Sequence, residues 1–184
     1  VVGFQYKADA EKFRRELGER LGRFGLEVEP TKTRVVEFGR FAVQNAKGRG
    51  ERAETFDFLG LTHYCGTKRD GKGFRMKRVT ARKKFTAKLK AFKEWLKRAR
   101  TLKTKELWET AKAKLRGHYA YYGVTDNLSG IKRFGEEVKK LLFKWLNRRG
   151  KRGCLNWQEF GEMLKRFPLP EPRIKVSMFG FTVN

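Results

Sequence analysis

The stretch from Ala81 to Ala99 constrains this chain more than any other. Ala81, Phe85, Leu89, Phe92, Leu96 and Ala99 recur at spacings of 4, 4, 3, 4 and 3, the period of one helix face. Arg82, Lys83, Lys84, Lys88, Lys90, Lys93, Lys97 and Arg98 fill the other faces. Such a pattern predicts a helix about 30 Å long. With one apolar stripe and little else to bury, it holds only if other helices cover that stripe. The sequence downstream supplies them. Leu107, Ala111, Leu115 and Tyr119 or Tyr122 mark a second helix, ended by Gly123. Ile131, Phe134, Val138, Leu141, Leu142 and Trp145 mark a third, stopping near Gly150. A short fourth begins at Asn156, with Glu159 completing a capping-box pattern. It carries Phe160, Met163, Leu164 and Phe167, and PLPEP ends it. Trp95, Trp108, Trp145 and Trp157 are expected in this helical core, none as a base-stacking platform.

The front of the chain is patterned differently. Val1–Tyr6 is strand-like. Asp9 suits an N-cap, Phe13, Leu17, Leu21 and Phe24 follow at helical spacing, and Gly25 suits the C′ position. LEVEPTKTRVVEF then reads as two strand-like pieces punctuated by Pro30. Residues 1–55 are thus expected to form a βαββ piece of a sheet domain, with too few strands to cover its own helix. Gln44–Glu54, polar and glycine-rich, is expected to be a loop. Across 56–79, two β-like runs flank Asp70-Gly71, a hairpin turn pair. Ile174–Phe181 reads as a final strand or an extended tail. The fold class is α+β: a partial sheet, a hairpin, and a mainly α-helical basic bundle over 80–184.

Charge narrows the partner. The chain has 45 Lys and Arg against 20 Asp and Glu, a net charge of +25. Residues 1–57 carry only +2, whereas 75–122 carry +14 with 3 acidic residues. A cationic body of this kind is matched by a polyanion, and nucleic acid is the first candidate. No apolar run reaches the length of a membrane span. Cys65 and Cys154 lie far apart and without metal-ligand spacing, the pattern of reduced thiols in a cytoplasmic protein.

Catalytic patterns are missing. The chain has four Asp, at 9, 57, 70 and 126, none paired with another carboxylate as a two-metal site demands. His63 and His118 lack ligand spacing, and neither a phosphate-binding glycine motif nor a nucleophile elbow occurs. Binding patterns are present. The cations of 81–100 can lie along a phosphate backbone while the stripe packs inward, each phosphate neutralised adding about 0.9 to the salt slope. LRGHYAYYG (115–123) crowds Arg116, His118, Tyr119, Tyr121 and Tyr122 into two helical turns. At least one of Tyr119 and Tyr122 belongs to the core. Arg116, His118 and Tyr121 are the better surface candidates for stacking or ribose contact.

Three segments, GLEVEPTKTRVVEFGRFA, FDFLGLTHYCG and RGHYAYYG, occur in this order ahead of a basic bundle. In order and rough spacing they resemble the C-terminal part of a bacterial group II intron reverse transcriptase/maturase, from Val1 to about Arg173. The resemblance implies that the chain starts just after the family's Tyr-Ala-Asp-Asp-like hairpin. The catalytic aspartates then map onto no residue here, and Mg²⁺ belongs to a larger parent polymerase. It implies that residues 1–55 are the end of a palm, where Lys32 of PTKT is either an accessory to the leaving pyrophosphate or an exposed turn residue. It implies that Phe58, Leu59 and Gly60 match a primer grip, although Phe58 also suits a sheet core. Residues from about Val79 to Arg149 resemble the thumb, or maturase domain. Arg78, Arg82, Lys83, Lys84, Lys88, Lys97, Arg98, Arg116, His118 and Tyr121 would there contact nucleic acid. The partners implied are structured intron RNA, an RNA/DNA template–primer duplex and the remainder of the polymerase upstream, in a bacterial cytoplasm. The chain alone is expected to be inactive as an RNA-directed DNA polymerase. Two other readings fit the same charge map: a stand-alone, non-catalytic RNA-binding splicing cofactor, and a DNA-binding module.

Overall fold

The computed structural model describes residues 1–68, 70–148 and 155–177. The fold is α+β, with six α-helices and a three-stranded antiparallel sheet among the described residues. The helices are α1 (Lys7–Gly22), α2 (Ala42–Gly48), α3 (Arg82–Arg98), α4 (Thr104–Tyr122), α5 (Leu128–Leu146) and α6 (Trp157–Arg166). The strands β1 (Thr55–Phe58), β2 (Leu61–Thr67) and β3 (Phe74–Thr80) pair in the order β1-β2-β3. No described helix is long and apolar enough to cross a membrane. The chain divides into two compact units. The first comprises Val1–Phe56 and Tyr64–Met76, the second Asp57–His63 and Lys77–Asn184.

The first unit corrects the expected βαββ front. None of residues 1–54 forms a strand. Val1–Tyr6 and the pieces around Pro30 find no neighbouring strand, and an extended segment becomes a strand only by pairing. α1 forms where its periodicity places it, but Tyr6, not Asp9, stands at its N-cap. Gly25 does act at the C-terminus: with φ at 69° it lets its own N–H reach Gly22 and the Leu26 N–H reach Leu21, the Schellman pattern. α1 buries none of its residues. The segment expected to be a loop contains α2, whose Ala42 and Ala46 are buried. Glu37 ties this region together by accepting from Asn45 and Arg49, which lowers its pKa. Phe38 packs edge-on against Phe56 and Phe74.

The second unit is built as its stripes dictate. Leu107, Ala111, Leu115, Tyr119 and Tyr122 of α4 are buried against Ile131, Phe134, Val138, Leu142 and Trp145 of α5, with Phe92 and Leu96 of α3 and Phe160 of α6. Both tyrosines are therefore core residues. Asn156 and Glu159 form the capping box of α6. Gly123 closes α4 where a Cβ would meet the Tyr119 carbonyl at 2.3 Å. Of the expected final strand, Val176 makes one parallel bridge to Val124 while Ile174, Lys175 and Ser177 are irregular; its positions 178–181, like Gly150 and Cys154, lie outside the described residues.

A buried polar clasp joins these elements. Asn127 is wholly buried. Its Nδ2 donates to Thr80 Oγ1 and to the Tyr122 carbonyl, both at 2.8 Å, and its Oδ1 accepts from Thr80 N–H at 2.9 Å. The end of β3, the end of α4 and the start of α5 thus meet on one side chain.

Candidate nucleic-acid interface

α3 presents its charge to solvent. Arg82, Lys83, Lys84, Lys88, Lys90, Lys93, Lys97 and Arg98 are all exposed. None forms an ion pair among the described residues. Lysines elsewhere do: Lys112 with Glu109, Lys139 with Glu136 and Lys140 with Glu137. Lys90, Lys93 and Lys97 follow the i, i+3, i+7 spacing of one flank of the helix, while Lys84 and Lys88 stand one turn apart on the other. The helix also opens on three cations with no acidic residue in its first turn, and Ala81 at its N-cap supplies no side-chain bond. Positive charge at the positive end of a helix is unfavourable by a few tenths of a kcal/mol per group. Among the described residues, no acid of the first turn offsets it.

Beside the start of α3 lies the tip of the β1–β2 hairpin. Leu59 (φ 49°) and Gly60 (φ 75°) are its two loop residues, and two consecutive positive φ values define the tight turn that matches strand twist. Gly60 suits this geometry, and a Cβ there would meet the Tyr122 hydroxyl at 3.0 Å and Lys84 Cγ at 3.7 Å. Leu59 is strained in it and nevertheless 66% exposed. Two hydrogen bonds hold the tip: Tyr121 Oη donates to the Leu59 carbonyl at 3.0 Å, and Ala81 N–H donates to the Gly60 carbonyl at 3.0 Å. Phe58 is partly exposed and faces the His63 ring at 6.4 Å. The structure therefore brings Phe58, Leu59, Gly60, Lys84 and Tyr121 together.

Other candidates are placed elsewhere. His118 is a correction: it is buried, stacked on Phe134 at 3.6 Å and 13°. Burial, with a smaller contribution from Lys88, pushes its pKa down to about 4, so it is a neutral core ring. The signal was legible, since His118 falls three residues after Leu115 and four before Tyr122, on the buried stripe. Arg78 is also buried; it alternates with Thr80 on the inward side of β3. Arg116 is exposed but lies about 140° around α4 from Tyr121. Lys32 is exposed in a turn of the first unit, its N–H bonded to the Glu29 carbonyl. The Asn127 clasp and the exposure of Trp157 were missed by sequence reasoning. No family model, curated protein or solved structure matches this chain.

Proposed function

We infer that the chain is a nucleic-acid-binding unit that grips a phosphate backbone through α3 and presents the Leu59–Gly60 tip beside it. The observation that carries this reading is the set of exposed, unpaired cations on α3, three of them crowded at an N-terminus that no acid or cap offsets. The palm-end, primer-grip and thumb resemblance gives the reading its specific form: the nucleic-acid-handling part of a group II intron-type reverse transcriptase, holding a template–primer duplex and intron RNA. Arg82, Lys83, Lys84, Lys88, Lys97, Arg98 and Arg116 supply phosphate contacts, and Phe58, Leu59, Gly60 and Tyr121 form the adjoining tip. His118 and Arg78 have no place in it. The resemblance assigns magnesium to the larger parent polymerase and not to residues of this chain.

The test is a salt titration of duplex binding. Changing Lys83, Lys84, Lys88 and Lys97 to Gln should lower affinity and flatten the slope of log K against log salt by about 0.9 for each lost phosphate contact. An unchanged slope would remove α3 from the interface. Competition between structured RNA, RNA/DNA hybrid and duplex DNA then identifies the preferred partner; preference for duplex DNA would overturn the reverse-transcriptase form of the reading.

A further inference from the structure

Trp157 departs from the other tryptophans. Trp108 and Trp145 are buried and Trp95 is half-buried, whereas Trp157 is 58% exposed. The ring is exposed but not loose. One face lies on Phe143, with centroids 3.8 Å apart and planes 18° from parallel. Phe160, itself buried, packs edge-on against it at 5.9 Å. The backbone beneath is fixed on both sides. Asn156 and Glu159 close the capping box, and Asn147 exchanges two hydrogen bonds with the main chain of Leu155. One turn along α6, a Cβ at Gly161 would meet nothing within 4 Å among the described residues. Lys144, next in sequence to Phe143, is exposed near the end of α5, and exposed Arg148 follows the helix with its guanidinium 5.3 Å from the Trp145 ring centre.

We propose that the free face of Trp157 stacks one unpaired base of a single-stranded nucleic acid. Every base has a π-face, so such a site tolerates any sequence and discriminates unpaired from paired strands. The ordering cost is small because Phe143, Phe160 and the capping box already hold the ring. An apolar peptide would need a groove around the indole; a single rigid platform on a chain of net charge +25 suits a base and its phosphate. The site rests on the nucleic-acid reading above, but it assigns a second substrate class, single strand, to α6 rather than duplex to α3.

The test uses the full chain with labelled oligo(U) and an RNA duplex as probes, followed by anisotropy. Trp157→Ala should weaken oligo(U) binding about tenfold and leave duplex binding within about twofold, with the duplex salt slope unchanged. Trp157→Leu, which keeps apolar bulk on Phe143 without a π-face, should show the same selective loss, and Trp157→Phe should recover part of it. Full oligo(U) affinity in Trp157→Leu, or equal losses on both probes, would overturn the proposal. If the unsubstituted chain binds neither probe, the nucleic-acid reading itself fails. If it binds duplex normally and the Trp157 variants match it on oligo(U), only the stacking site fails.

Discussion

Asn127, His118 and Leu59 show how much a single position decides. Replacing Asn127 by Ala would strand the Thr80 N–H and the Tyr122 carbonyl inside the second unit. A loss of about 2–4 kcal/mol is expected, read from denaturant unfolding. His118 makes stability depend on pH. Its folded pKa, about 4, lies below the usual histidine value of 6.5, so between these values the unfolded chain binds the proton and the folded chain does not. Its contribution is fully present above about pH 6.5 and is lost as pH falls toward 4, on the order of 1–3 kcal/mol. His118→Phe, which keeps the stack on Phe134, should flatten that part of the stability–pH curve. At Leu59, Gly would relieve the positive φ and is expected to raise stability by about 1 kcal/mol. If the exposed side chain touches nucleic acid, the same Leu59→Gly change should weaken duplex binding. A gain in both would show that Leu59 is not part of the interface.

The elements differ in what holds them. α5 and α4 bury long stripes, and their glycines respond by position. Gly117 of α4 has nothing within 4 Å of an added Cβ, whereas a Cβ at Gly135 of α5 would lie 2.4 Å from the Tyr119 hydroxyl. Gly117→Ala should therefore stabilise by up to about 1 kcal/mol, while Gly135→Ala should lower the melting temperature because the tyrosine must shift. Thermal melts of the two variants give opposite signs. The helical stripes, the Asp70-Gly71 hairpin and the α6 capping box were legible because their causes are local: periodicity, turn residues and a side chain reaching its own backbone. The strands expected within 1–54 were not, because pairing is a property of two segments, and alternation in one of them does not supply the other. β1 was read only as part of one β-like run with β2, for the converse reason. Its four residues gain strand character only by pairing with β2 across the Leu59–Gly60 turn.

Across the whole molecule, order follows burial. Ile131, Val138 and Leu142 of α5 are 0% exposed, while α1 buries nothing and Val1, Val2, Tyr6, Phe24 and Phe41 stand largely in solvent. Local opening is governed by the apolar contacts that must break. Amide hydrogen exchange should then show α5 protected close to the global limit and α1 exchanging orders of magnitude faster. Comparable protection in α1 would contradict the solvent-exposed arrangement of the first unit.

The sequence by itself determined the helices of the second unit, their inward stripes and the concentration of positive charge on α3, since each follows from residue type and spacing along one segment. It determined equally that β2 and β3 form a hairpin. Tertiary structure alone decided the rest. It sent Arg78 inward, joined Thr80, Tyr122 and Asn127 in one clasp, set Tyr121 on the Leu59 carbonyl, and left Trp157 open on the Phe143 stack. Each of these outcomes depends on which groups distant segments bring together. Burial, desolvation and hydrogen-bond partnership are properties of such meetings and have no expression in a single stretch of chain.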